Sequence, residues 1–172
     1  MELDPRSFLI ARLGEEDLVH IESFDCDEPT MNTFFRNECL DEQKLGLNST
    51  YALYYKGELA ALCSICADKI SLATSEKDNM NLPRNSVPAV KIARLARDKK
   101  FRDLRLGIYL FDYVRLQILE SSENIGIRLI TLDAYPERVE YYKSIGFIVN
   151  ANQGKNSNNT VSMRFDIFTL NE

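Results

Sequence analysis

One stretch, residues 90–120, limits the fold more than any other. Val90 to Ala96 reads as a buried strand and Arg97 to Leu106 as a basic loop. Gly107 opens a helix whose apolar residues Leu110, Phe111, Val114 and Ile118 recur at helical spacing. A strand that feeds a loop ending at a helix N-terminus is an anion site. The first N–H groups of the helix lack intrahelical partners, and the macrodipole is positive there. The loop adds Lys99, Lys100, Arg102 and Arg105. That combination suits a phosphate or pyrophosphate.

The net charge of −5 gives no global indication of a broad surface for nucleic acid or anionic membrane. Between Lys91 and Arg105, however, stand seven Lys or Arg and only two acids, Asp98 and Asp103. A local basic stretch in an acidic chain fits a small polyanion better than a polymer. With 172 residues, one domain spanning 1–172 is expected. Residues Met1–Pro5 are acidic and polar, unlike a signal peptide, and no apolar run approaches the ~20 residues of a membrane span. The expectation is a cytoplasmic protein without a membrane partner.

Cys63 and Cys66 form a C-x-x-C, but LALCSICA reads as strand, where residues three apart point to opposite faces. Buried, reduced thiols are expected for these and for Cys26 and Cys39, and no metal site is assigned. His20 lies on an N-terminal helix and reads as a surface residue.

Taken in order, Ser7–Leu13 is a strand and Glu15–Ser23 a short helix. Phe24–Asp27 is a turn, and a second helix runs from Pro29 to about Lys44. Thr50–Tyr55 and Glu58–Ala67 form a hairpin about Lys56-Gly57. Residues 71–88 read as a polar surface loop. After the central unit come a strand at Ile127–Asp133, a helix at Pro136–Ile145 and a strand from Phe147 to Asn150. A turn at Ala151–Asn159 and a returning strand at Val161–Phe168 complete the chain. The order is βααβββαβαββ, an α+β fold with a mixed, mostly antiparallel sheet flanked by helices.

Three segments carry a resemblance: KIARLARDKKFRDLRLGIYLFDYV, IRLITLDA and ERVEYYKSIGF. In this order and spacing they resemble the coenzyme-binding half of the GCN5-related N-acetyltransferases. The stretch from Phe24 to Ile65 resembles the N-terminal half of a bacterial subgroup that includes acetyltransferase toxins acting on aminoacyl-tRNA. The likeness covers roughly residues 7–168.

The resemblance implies acetyl-CoA as cosubstrate. It lays the pantetheine arm along the strand ending at Leu95-Ala96-Arg97, whose side chains also suit a core. It gives the diphosphate to the amides of Leu104, Arg105, Leu106, Gly107 and Ile108, with Arg102 and Arg105 as charge partners. A solvated basic loop accounts for Lys99, Lys100 and Arg102 as well. Tyr142, in YYKSIGF, is implied as the proton donor to the departing thiolate; a buried, locally bonded tyrosine is the alternative. Tyr141 reads as core, while Gly146 and Phe147 read as structural. Asp133 either orients an acceptor amine or caps a turn. Arg94 matches a basic position of the toxin-like subgroup or serves a salt bridge.

The family loop reads Gln/Arg-x-x-Gly-x-Gly/Ala; here it is Arg102-Asp103-Leu104-Arg105-Leu106-Gly107. The first glycine permits positive φ and close main-chain approach. Arg105 therefore either takes that conformation under strain and reaches a phosphate, or weakens coenzyme binding.

The implied activity is acetyl transfer to a primary amine by direct attack. The acceptor is a small-molecule or protein amine; acetylation of aminoacyl-tRNA is the alternative, disfavoured by the net charge. A non-catalytic binding module of the same fold is the competing reading, and a homodimer stays open.

Overall fold

The computed structural model describes residues 7–154 and 159–169. The expected turn at Ala151–Asn159 lies partly outside these residues, and Met1–Pro5 lies wholly outside. The strands are β1 (Phe8–Arg12), β2 (Ser49–Tyr55), β3 (Glu58–Ser71), β4 (Ser86–Arg97), β5 (Leu129–Ala134), β6 (Ile148–Val149) and β7 (Val161–Asp166). The helices are α1 (Leu18–Ile21), α2 (Pro29–Asn37), α3 (Cys39–Lys44), α4 (Thr74–Asn79), α5 (Leu106–Ser121) and α6 (Val139–Ser144). The chain forms two compact units, Met1–Cys66 with Ala93–Val114, and Ala67–Ile92 with Arg115–Glu172.

In the first unit β1 pairs antiparallel with β2, Ile10 opposite Leu53, and β2 with β3, Ala52 opposite Leu62. Lys56 and Gly57 both have positive φ, 52° and 84°, the backbone of a two-residue turn that matches strand twist. Helix α2 starts on Glu28, whose carboxylate accepts from the Thr30 and Met31 N–H groups, with Pro29 in the first turn. The helix expected to run from Pro29 to Lys44 is instead two. Glu38 leaves helical geometry at φ −125°, which turns Cys39 and Leu40 into the same cluster as Phe34 and Phe35. That cluster also holds Leu13, Ile21, Phe24, Ala52, Leu59, Leu62 and Ala96.

In the second unit β4 runs parallel to β5, Val90 opposite Ile130. Strand β7 is antiparallel to both β5 and β6. Two expectations change here. Strand β3 continues to Ser71 and β4 begins at Ser86, so each is longer than its apolar run. Pro88 sits within β4 without an N–H, and its carbonyl accepts from Arg128. The stretch taken for a loop contains α4, which buries none of its residues and therefore has no apolar period to read.

Helix α4 is tied down by charge. Glu76 accepts from Arg164 Nη1 at 2.5 Å and from the N–H groups of Ala151 and Ala73, each at 2.9 Å. Arg164 Nη1 also donates to Asn150 Oδ1. Burial alone would raise the Glu76 carboxyl. The two N–H groups and the Arg164 charge outweigh it and hold the group below the usual range. Cys63 is fully buried on β3, and burial pushes its thiol up to about 12. Among the described residues no helix is long and apolar enough to cross a membrane, and no cluster of His, Cys, Asp or Glu could hold a metal ion.

Candidate active site

In the first unit β4 ends at Arg97 and the chain turns on Asp98, which is 1% exposed. The Asp98 carboxylate accepts from the Lys100 N–H at 2.9 Å and the Asp25 N–H at 3.0 Å. Its own N–H donates to the Ala60 carbonyl. Lys99 N–H donates to the Asp25 carbonyl at 2.8 Å, and Lys99 Nζ lies 2.6 Å from Asp25 Oδ2. Hydrogen bonding from Lys99 first, then from the Asp27 N–H and the Asn32 amide, holds the Asp25 carboxyl far below the usual range.

Most of the basic loop is thus already paired. Lys99 serves Asp25, Lys100 faces Glu58 at 3.6 Å, and Arg102 donates to Asp27 at 2.5 Å. Arg102, expected as a phosphate partner, is held by that carboxylate. Arg105 is exposed and has no ion pair among the described residues.

The five expected amides divide. Leu104 N–H donates to the Phe101 carbonyl and Ile108 N–H to that of Arg105, so these two are committed. The N–H groups of Arg105, Leu106 and Gly107 donate to no main-chain or side-chain acceptor among the described residues. They are the orphan donors at the start of α5. The strain expected at Arg105 is absent, since Arg105 is not among the residues with positive φ. No glycine is required at that position. At the end of β4, Arg97 Nη1 is buried and finds no acceptor among the described residues. Three uncommitted main-chain donors at a helix start, with the Arg105 guanidinium on the same segment, fit a diphosphate. Ala96 is buried in the core cluster and Leu95 is half-buried, so their side chains serve packing.

A groove in the same unit is lined by Pro29, Thr30, Thr33, Phe34, Glu38 and Arg94. The Arg94 guanidinium lies over the Phe34 ring, 5.0 Å from its centroid, and Nη1 donates to the Ala93 carbonyl. The salt bridge offered as an account of Arg94 is not formed among the described residues. His20 is exposed, edge-on to Tyr54.

In the second unit Tyr142 is half-buried on α6, its ring edge-on to Phe147 at 5.7 Å. Its carbonyl accepts from the Ile145 and Phe147 N–H groups and closes the helix. Gly146 has φ +100°, and a Cβ there would meet the Phe165 ring at 2.9 Å, so the glycine is required twice over. Phe147 is buried as expected, whereas Tyr141, expected in the core, is 37% exposed. The short helix α6 leaves that side outward. Among the described residues Asp133 caps no turn. It is exposed on β5 and pairs with Lys91 of β4 at 2.6 Å.

No protein-family model matches the chain. A curated relative from Mycobacterium tuberculosis, a tRNA-acetylating toxin, is 22% identical over 141 residues, 81% of this chain and 83% of its own length. A solved tyrosine-to-phenylalanine mutant of KacT superposes with TM-score 0.81 at 20% identity, over 94% of this chain and 95% of its own. AtaT complexed with acetyl-methionyl-tRNAfMet gives TM-score 0.79 at 21% identity, over 92% and 94%. This chain has the KacT and AtaT fold. AtaTR bound with acetyl-CoA matches too, with TM-score 0.73 at 22% identity over 94% of each chain.

On the KacT and AtaT fold, the expected residues fall into two groups. Leu95, Ala96, Arg97, Arg102 and Leu104 to Ile108 belong to the first unit, and Asp133 and Tyr142 to the second. Sequence reading missed Asp25, Asn32 and Asp98. Their bonds join segments 73 residues apart, which no local pattern reports. The one available signal was a polar asparagine on the buried face of α2, where an apolar residue would be the default.

Proposed function

We propose that the chain is an acetyl-CoA-dependent N-acetyltransferase whose acceptor is the amino group of an aminoacyl-tRNA. The observation that carries the coenzyme reading is the trio of uncommitted N–H groups at Arg105, Leu106 and Gly107 beside the unpaired Arg105 side chain. These hold the diphosphate, and the main chain of Leu95, Ala96 and Arg97 offers strand-like pairing to the amides of the arm. When bound, acetyl-CoA supplies an acetyl thioester open to attack by an amine. By the family resemblance Tyr142 Oη would give a proton to the coenzyme sulfur, and an N–H of β4 would face the acetyl oxygen. Asp133, fixed by Lys91, orients the amine or takes its proton. Holding the two reactants in register supplies much of the rate.

The acceptor reading is supported by the curated relative, named a tRNA-acetylating toxin, and by AtaT with acetyl-methionyl-tRNA. The net charge of −5 opposes it only as an average. Lys91, Lys99, Lys100 and Arg102 are paired with acids, and Arg94, Arg97 and Arg105 form no ion pair among the described residues. AtaT has also been solved bound to the C-terminus of the antitoxin AtaR, which supports a protein antitoxin as partner here.

Calorimetric titration with acetyl-CoA, then thiol release across a panel of small amines and charged tRNAs, tests both parts. Micromolar binding and release with charged tRNA are expected. No binding at millimolar acetyl-CoA rejects the enzyme in favour of a binding module, and turnover of small amines alone rejects tRNA.

A further inference from the structure

The coenzyme loop does not hold its shape alone. Residues 98–102 lean on the turn before α2, and the bonds between them converge on one side chain. Asp25 Oδ2 accepts from Lys99 Nζ at 2.6 Å, while Oδ1 accepts from the Asp27 N–H and Asn32 Nδ2, both at 2.9 Å. The Asp25 main chain makes two further bonds to the loop, N–H to Asp98 Oδ2 and carbonyl from the Lys99 N–H. Asn32, 8% exposed in the first turns of α2, sets Asp25 in turn. Its Oδ1 accepts from the Cys26 N–H at 3.0 Å and from Cys26 Sγ at 3.1 Å, which leaves Nδ2 directed at Asp25. Asp27, whose N–H bonds Asp25, also holds Arg102. The three uncommitted N–H groups begin three residues beyond Arg102.

We infer that Asp25 is a positioning residue for coenzyme binding: clamped by Asn32 and Asp27, it grips Lys99 and fixes the turn from which the donors at Arg105–Gly107 extend. The inference rests on the acetyl-CoA reading above. Asp25 acts through Lys99 and touches no ligand itself. A donor array held in advance binds an anion without first losing the freedom of the loop. A loosened turn spreads the three N–H directions and weakens binding of coenzyme before it alters chemistry.

The test measures acetyl-CoA affinity by calorimetry, together with KM for acetyl-CoA and kcat, in Asp25→Ala, Asp25→Asn and Lys99→Met. Lys99→Met breaks the same bond from the exposed side and keeps the fold. Asp25→Ala and Lys99→Met are expected to raise Kd and KM by about three- to fivefold, the upper range for an ion pair at the surface. kcat stays within about 1.5-fold, because the loss is one of binding rather than of transition-state contact. Asp25→Asn, which keeps an acceptor for Asp27 and Asn32, falls between. The double variant Asp25→Ala with Lys99→Met is no worse than either single one. Unchanged Kd and KM in Lys99→Met, or losses that simply add, overturn the inference. A wild-type protein that fails to bind acetyl-CoA refutes the coenzyme reading itself, a different outcome from wild-type binding that the variants share.

Discussion

Replacing Glu76 with alanine removes the acceptor at the centre of the cluster that anchors α4. Arg164 then keeps a largely buried charge, with its side chain 9% exposed, and among the described residues only Asn150 Oδ1 accepts from it. Removing one member of a buried pair costs about 3–5 kcal/mol. The Ala151 N–H is at an exposed residue and finds water, so it adds little. A loss of about 3–4 kcal/mol lowers the melting temperature by ~6–16 °C in a chain of this size. Far-UV circular dichroism at pH 7 reads that shift directly.

The pH dependence gives a second check. Glu76 is held below its ordinary 4.5, so its folded form binds the proton less readily than the unfolded chain does. Its contribution is complete above the unfolded value and is lost as pH falls through the folded one. The gap between wild type and Glu76→Gln is therefore constant from about pH 6 to 8 and narrows below about pH 4.5. Melting of Glu76→Ala within about 2 °C of wild type, equivalent to under ~1 kcal/mol, would refute the reasoning. So would a gap between wild type and Glu76→Gln that fails to close in acid.

Tyr142→Phe is expected to reduce turnover by up to ~10²–10⁴-fold with acetyl-CoA affinity nearly intact; unchanged thiol release removes Tyr142 as the acid. Arg105→Gly is expected to weaken acetyl-CoA binding by roughly tenfold, read by calorimetry, since one charge-assisted contact is lost; equal or tighter binding would make the arginine a bystander. Gly146→Ala forces positive φ on alanine and drives its Cβ into the Phe165 ring, so urea unfolding should show a loss of ~2–4 kcal/mol.

The central strand, loop and helix were legible because their pattern is local. Leu110, Phe111, Val114 and Ile118 are all buried, as their spacing requires. The Lys56-Gly57 hairpin and the Gly146 helix stop were legible for the same reason, each being a short-range backbone demand. Helix α4 was not, because a helix that buries nothing and is held by Glu76 to Arg164, 88 residues on, leaves no period in its own sequence. The break at Glu38 escaped because Phe35 and Cys39 keep i,i+4 spacing across it. Within the site, residue types pointed to an anion loop, but pairing did not follow from them. Only distant acids decide that Arg102 is committed and Arg105 is not.

Arg105 occupies backbone that any L-residue adopts, where the resemblance leads one to expect glycine. An arginine at such a place samples far fewer backbone states in the denatured chain than glycine does, which favours the folded form by about 0.4–1 kcal/mol. The residue that supplies a positive charge to the loop therefore also stiffens it. A reversion to glycine would lose both effects at once, so thermal melts of Arg105→Ala beside Arg105→Gly separate the charge from the backbone.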